Sequence, residues 1–298
     1  MASRRAGPRD LPLLGERLEA LRRDWSARRL DSDPLAFAHC FTDPGDREVV
    51  AFLAASLAFG RVASIQASVA RVLEAVGPSP AAFLETWDEK GIPALRAFRH
   101  RWVSGNDVED LLRMVKRARL EHGSLGTLFA AGDGGGEDFV APLSSFLGNL
   151  RGLSRRGSVP SRGLKFLLPS PAGGSACKRQ HLFLRWMVRT EGFDLGLWTG
   201  GRFTPARLLL PMDTHVHRIA TYLGLTRRKA ADLAAAREAT GWLRALNPGD
   251  PVAYDWALSR LGILAECVTE RTRRHCERCA VRPVCRASLI PSLGVAAA

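Results

Sequence analysis

Apolar residues return every three or four positions along almost the whole chain, and no run of them alternates with polar ones. In residues 10–29 the stripe is Leu11, Leu14, Leu18, Leu21 and Trp25, the spacing of one helix face. Asp46 stands where it would cap a helix over 47–59. Val62, Ile65, Val69, Val72 and Leu73 mark the next helix, which Gly77 ends. SPAAFLETW, NDVEDLLRMVKRARLEHG up to Gly123, and EDFVAPLSSFLGNL continue the pattern. Helical period without strand period predicts an all-α fold. The glycine-rich residues 131–137 and the basic stretch 154–163, broken by Pro160, read as loops.

The cysteines are unevenly placed. Four of six fall in the pattern Cys267-x8-Cys276-x2-Cys279-x5-Cys285, while Cys40 and Cys177 stand alone and read as small apolar residues. Four thiols so close together are enough for one tetrahedral ion or one iron–sulfur cube. Zinc ribbons usually supply two CxxC-like turns. A single CxxC with longer, unequal arms suits the wider spacing of a [4Fe–4S] cluster, with zinc as the alternative. Six cysteines in 298 residues do not make a disulfide scaffold. The arm between Cys267 and Cys276 carries Arg271, Arg273 and Arg274. These would either meet phosphates from a loop held rigid by the metal or form a solvated basic loop.

The formal net charge is +13, with 43 Lys and Arg against 30 Asp and Glu. Arginine far outnumbers lysine, a skew that codon usage alone would produce. Codon usage does not produce the excess of base over acid, which favours a polyanionic partner, double-stranded DNA first. No apolar run reaches the roughly 18–20 residues of a membrane span. The N-terminal segment lacks the apolar stretch of a secretory signal. The expectation is a cytoplasmic monomer that meets no membrane.

Residues 165–189, KFLLPSPAGGSACKRQHLFLRWMVR, place a Pro/Gly turn between two helical runs. On a helical wheel Lys178, Arg185 and Arg189 fall within about 40° of one another, which reads as a basic stripe. Backbone N–H groups at Gly173, Gly174 and Ser175, with Arg179 just behind, would grip a phosphate. The plainer reading is a helix–turn–helix corner with a solvated basic face. Downstream, LLLPMDTHVHRIATYLGL puts Asp213 before Val216, Ile219, Ala220 and Leu223, as a natural N-cap. A carboxylate fixed in this way would stabilise a cationic sugar transition state or take a proton from a nucleophile. His215 and His217, two apart on a helix, point to different faces and read as ordinary histidines rather than metal ligands.

The order of these segments resembles the helix-hairpin-helix DNA glycosylase superfamily, in its iron–sulfur branch typified by endonuclease III. The segments are GGSACK at 173–178, DTHVHR at 213–218, and a helix over 251–266 running into Cys267. The resemblance is strongest over 165–286. GSACKRQHLFLRWMVR and PMDTHVHR are closer still to an uncharacterised bacterial subfamily.

The resemblance implies a two-domain protein. A central domain over 46–200 would end in the hairpin, and 1–45 with 201–298 would form a cluster domain. It further implies that a damaged base is extruded from bent DNA into a cleft between the domains. Asp213 would assist loss of the base, and Lys178 would attack the sugar in members with abasic-site lyase activity. Three features differ from that pattern. Lys178 and Asp213 are 35 positions apart, and the excess is read as a surface loop. The hairpin is GGSACK. The segment that holds a duplex-wedging glutamine in the family reads SLAFGRVAS, with Phe59 or Arg61 the nearest substitutes. The alternative reading is a catalytically silent iron–sulfur protein that binds damaged or structured DNA. A redox-sensing regulator is more distant.

Overall fold

The computed structural model describes residues 7–26, 30, 33–154, 160–263, 267 and 273–288. The helices, in chain order, begin with α1 (Leu11–Ser26), α2 (Ala36–His39), α3 (Pro44–Leu57), α4 (Val62–Val76) and α5 (Pro80–Thr86). After two two-residue strands come α6 (Gly105–His122), α7 (Leu125–Ala131), α8 (Val140–Gly152), α9 (Arg162–Leu167) and α10 (Lys178–Val188). The rest are α11 (Thr214–Leu223), α12 (Leu233–Leu246), α13 (Asp255–Ile263) and α14 (Arg273–Glu277). The strands, β1 (Arg99–His100) and β2 (Val103–Ser104), form one antiparallel hairpin. The protein is thus mostly helical, as its periodicity predicts. No helix among the described residues is long and apolar enough to cross a membrane.

The chain divides into two compact units. One holds Arg29–Arg207; the other joins Met1–Arg28 to Leu208–Ala298. Residues 29–45 and 201–207 therefore lie in the central unit, where the sequence reading had assigned them to the flanking one.

In the central unit α3 is the core helix. It is apolar all round, buried from Val49 to Leu57, and packed by α2, α4, α5 and α10. Its cap is Asp43, whose carboxylate accepts from Asp46 N at 2.8 Å, with Pro44 in the first turn. Asp46, the cap expected from sequence, is buried instead. Its Oδ1 accepts from Ala81 N at 2.7 Å and Ser79 Oγ at 3.1 Å, which ties down the start of α5. Glu48, also buried, serves α7 in the same way, accepting from Leu125 N and Gly126 N at 3.0 Å each. A carboxylate there answers the open amides and positive end of the helix.

Residues 190–207 are not a surface loop. Trp198 is 5% exposed, donates from Nε1 to Glu48 Oε1 at 2.8 Å, and packs against Phe129, Phe183 and Phe203. A Cβ on Gly126 would lie 2.7 Å from that indole nitrogen, so the close approach requires glycine. The arm is fastened at one end by Asp194, which pairs with Arg185 (3.0 Å) and with Arg189. At the other end Arg207 makes a two-pronged bond to Asp133, at 2.6 and 2.8 Å. Arg185 and Arg189 are therefore buried and paired, not part of a solvated stripe.

The flanking unit packs α1 against α12 and α13, and α11 against α13. Leu14 and Leu18 of the α1 stripe are fully buried.

Candidate functional site

The hairpin follows α9 in the central unit. Pro171–Gly173 form one turn of 3-10 helix, with Gly173 N donating to Ser170 O (3.2 Å) and Gly174 N to Pro171 O (2.9 Å). Gly174 closes the turn in the left-handed region at φ 80°. Gly173, Gly174 and Ser175 are exposed, and a Cβ at either glycine would meet nothing within 4 Å. The chain then turns inward at Cys177, itself left-handed (φ 42°), whose carbonyl starts α10. Burial pushes the Cys177 thiol pKa up. Lys178 is the first residue of α10 and is half-buried.

Arg179 does not face outward, and this corrects its assignment to the DNA-binding set. It is buried, donates to Ser56 O at 2.7 Å and to Phe166 O, and lies over the Phe166 ring at 4.1 Å. Burial brings its pKa down to about 10. Ser56 is in the last turn of α3, where open carbonyls and the helix dipole favour a cation. Arg179 therefore locks the hairpin helix to α3 and α9.

Sequence reasoning missed Trp102. It sits in the β1–β2 turn and is 42% exposed, one of three large apolar side chains that are exposed among the described residues. Its ring packs against Phe59 and Phe166 at 5.7 and 4.9 Å, and the Arg101 guanidinium lies over it at 4.9 Å. Phe59, one of the two expected substitutes for a wedging residue, is half-buried in this ring cluster, stacked edge-on to His100 at 4.3 Å. Arg61 is exposed. The available signal was a tryptophan among basic residues, RHRW at 99–102, in a segment without helical period.

In the flanking unit Asp213 caps α11. Its Oδ1 accepts from His215 N at 2.9 Å and Val216 N at 2.8 Å. The carboxylate is thus held in one orientation by two backbone donors, half-buried at the head of the helix. One turn on, His217 Nε2 meets Arg228 O at 2.9 Å, so this histidine is structural, as its spacing suggests.

The same helix is tied to the cysteine segment. Arg218 Nη2 donates to Cys267 O at 2.6 Å, and Arg286 N donates to Tyr222 O at 2.8 Å. Cys267, Cys276, Cys279 and Cys285 line one small cavity, together with His275, Arg282 and Ser288. Cys279 N donates to Cys276 O, and Cys285 N to Arg282 O, so two tight turns present the last three thiols. The Cys279 thiol is pushed up to about 11, first by burial and then by the three other thiols. Among the described residues no three His, Cys, Asp or Glu side chains converge closely enough for a single metal ion. Arg271 lies outside the described residues. Arg273 and Arg274 open α14, and their side chains lie outside the description too.

A family profile matches residues 33–264, most of the chain, and its description reads DUF2400, protein of unknown function. The chain belongs to the DUF2400 family. No curated protein and no solved structure matches it. The DUF2400 match takes in the hairpin, Lys178, Trp102 and Asp213, and it stops short of Cys267.

Proposed function

We propose that the protein is a DNA glycosylase that excises a damaged base from duplex DNA and cleaves the abasic site through Lys178. The observation that carries this reading is the hairpin. Three exposed residues, Gly173–Ser175, form a tight turn that is followed, after the buried Ala176 and Cys177, by a helix whose first residue is a lysine. The Gly173 and Gly174 amides are held inside the turn, so what the hairpin offers a phosphate is the open space over its two glycines, four and five residues ahead of Lys178. Trp102, carried on the neighbouring strand turn and packed on α9 through Phe166, offers a ring face for stacking on a base.

The chemistry assigns one task to each group. The Lys178 amine attacks C1′, and the C1′–N bond breaks. The base leaves with that electron pair and takes a proton from water. The sugar then opens at C1′–O4′: one of the two amine protons passes, through water, to O4′, which becomes a hydroxyl, and the nitrogen lone pair forms the C1′=N bond of a protonated Schiff base. Loss of a C2′ proton then expels the 3′ phosphate, and water releases the lysine. Asp213, its carboxylate held by two backbone donors, is the group we assign to the positive charge that develops on the sugar.

The four cysteines suit a [4Fe–4S] cluster. Four thiols line one shared cavity, and four thiolates are the ligand set such a cluster needs. The bound cluster would supply a rigid cross-link for residues 267–285, because metal binding there is coupled to folding. Arg271, Arg273 and Arg274, in the arm that the cross-link would span, are assigned to phosphates.

The test is a panel of lesion-bearing duplexes incubated with anaerobically purified protein, with and without borohydride. Strand cleavage and a trapped covalent adduct on at least one lesion, with about four irons per chain, are expected. Binding without base release or trapping on every lesion would leave a silent DNA-binding protein. One zinc and no iron would overturn the cluster.

A further inference from the structure

The segment that follows α11 turns back along it. Gly224, left-handed at φ 79°, ends the helix, and Leu225 N then donates to Ala220 O at 2.8 Å. Three residues later the Arg228 carbonyl is level with His217, whose Nε2 lies 2.9 Å away. The chain has therefore run back along the helix, from the Ala220 carbonyl towards its first turn. Residue 228 thus arrives beside His217 in the first turn, the turn that Asp213 caps.

This loop is rigid and basic. Leu225 and Thr226 are buried. The Thr226 hydroxyl donates to Glu238 at 2.6 Å and accepts from Arg228 N at 3.2 Å. Arg228 is committed within the fold, since its guanidinium makes a two-pronged bond to Asp232, which also caps α12 through Ala235 N. Arg227 and Lys229, on either side of Arg228, are exposed. A carboxyl side chain by itself offers nothing to the phosphates flanking a nucleotide brought to it, and cations on a loop beside the first turn of α11 supply that attraction.

We infer that Arg227 and Lys229 form a clamp for the DNA backbone phosphates next to the nucleotide whose sugar meets Asp213. The inference rests on the DNA reading proposed above and adds a second phosphate-binding element to it, separate from the hairpin and the cysteine arm. Its rigidity matters: a cation on a preordered loop orders little on binding, so its contact holds the backbone in register as well as attracting it.

The experiment measures binding of the full-length protein to a fluorescein-labelled, undamaged duplex of about 20 base pairs across a salt series. Arg227→Gln with Lys229→Gln removes two charges at the loop. Arg71→Gln with Lys90→Gln removes the same two charges from exposed positions of the central unit. The loop pair is expected to flatten the slope of log K against log salt by about 1.8, at about 0.9 per phosphate, and the control pair to leave it unchanged. An unchanged slope in the loop pair overturns the clamp and leaves the DNA reading standing. An equal flattening by both pairs also overturns it, since the effect would then be one of net charge alone. Wild-type protein that shows no salt-dependent binding to duplex overturns the clamp together with the DNA reading.

Discussion

Arg218 reaches from the middle of α11 to the carbonyl of Cys267, 2.6 Å away, and so joins the helix capped by Asp213 to the first thiol of the cysteine cavity. A charged donor on a partly buried carbonyl is worth about 1.5–3 kcal/mol. Arg218→Leu is therefore expected to lower stability by that order and to loosen the start of the cysteine segment. The check is thermal unfolding together with the rate at which a chelator strips metal from the loaded protein. Faster stripping is expected; an unchanged rate would show that the bond does not hold the segment.

Glu48 accepts from three N–H donors: Leu125 N, Gly126 N and Trp198 Nε1. Glu48→Ala would leave all three buried without a partner, at about 1–3 kcal/mol each. The expected loss is several kcal/mol in denaturant unfolding, with Trp198 fluorescence shifting as the 190–207 arm comes free. Glu48→Gln keeps two acceptor sites and should cost clearly less.

His100 is buried against Ser68 Oγ and the Phe59 carbonyl, at 2.9 Å each. Burial holds its pKa below the ordinary 6.5. The unfolded chain then binds the proton more readily than the folded one. Its contribution is present above about pH 6.5 and is lost as pH falls from there towards the lower folded value. The wild type should lose more stability than His100→Gln between about pH 7 and pH 5. Parallel losses in the two proteins would contradict the assignment.

Arg179 was expected to bind phosphate and instead holds α10 to Ser56 and Phe166. Arg179→Gln should reduce stability by about 2 kcal/mol or more, since it strands buried carbonyls, and should leave the salt slope of DNA binding unchanged. A flattened slope at unchanged stability would restore the sequence expectation.

How far the sequence could be read depended on the range of the interactions involved. Local signals were legible: the helical stripes, the Gly77 and Gly123 stops, the Asp213 cap, and the clustering of four cysteines. Each is set within a few residues. Asp46 misled because it and Asp43 are both plausible caps. Pro44, suited to the first turn, decides for Asp43, and Asp46 is needed 35 residues away at Ala81. The wheel that grouped Arg185 and Arg189 on one face had no sight of Asp194, which follows in an arm whose burial depends on Trp198 reaching Glu48 across 150 residues. Trp102 escaped notice for the same reason, as its exposure is set by rings from two other elements.

Asp213 and Lys178 carry the central claim, and base release separates them. Asp213→Asn keeps the capping oxygen and should cost about 1 kcal/mol or less in stability. The decisive measurement is single-turnover base release on the lesion that wild-type protein processes best. Asp213→Asn is expected to fold and bind that duplex as wild type does, yet to release the base slower by at least a hundredfold, and Lys178→Gln to lose the borohydride-trapped adduct. Base release at the wild-type rate by a folded Asp213→Asn protein would contradict the account.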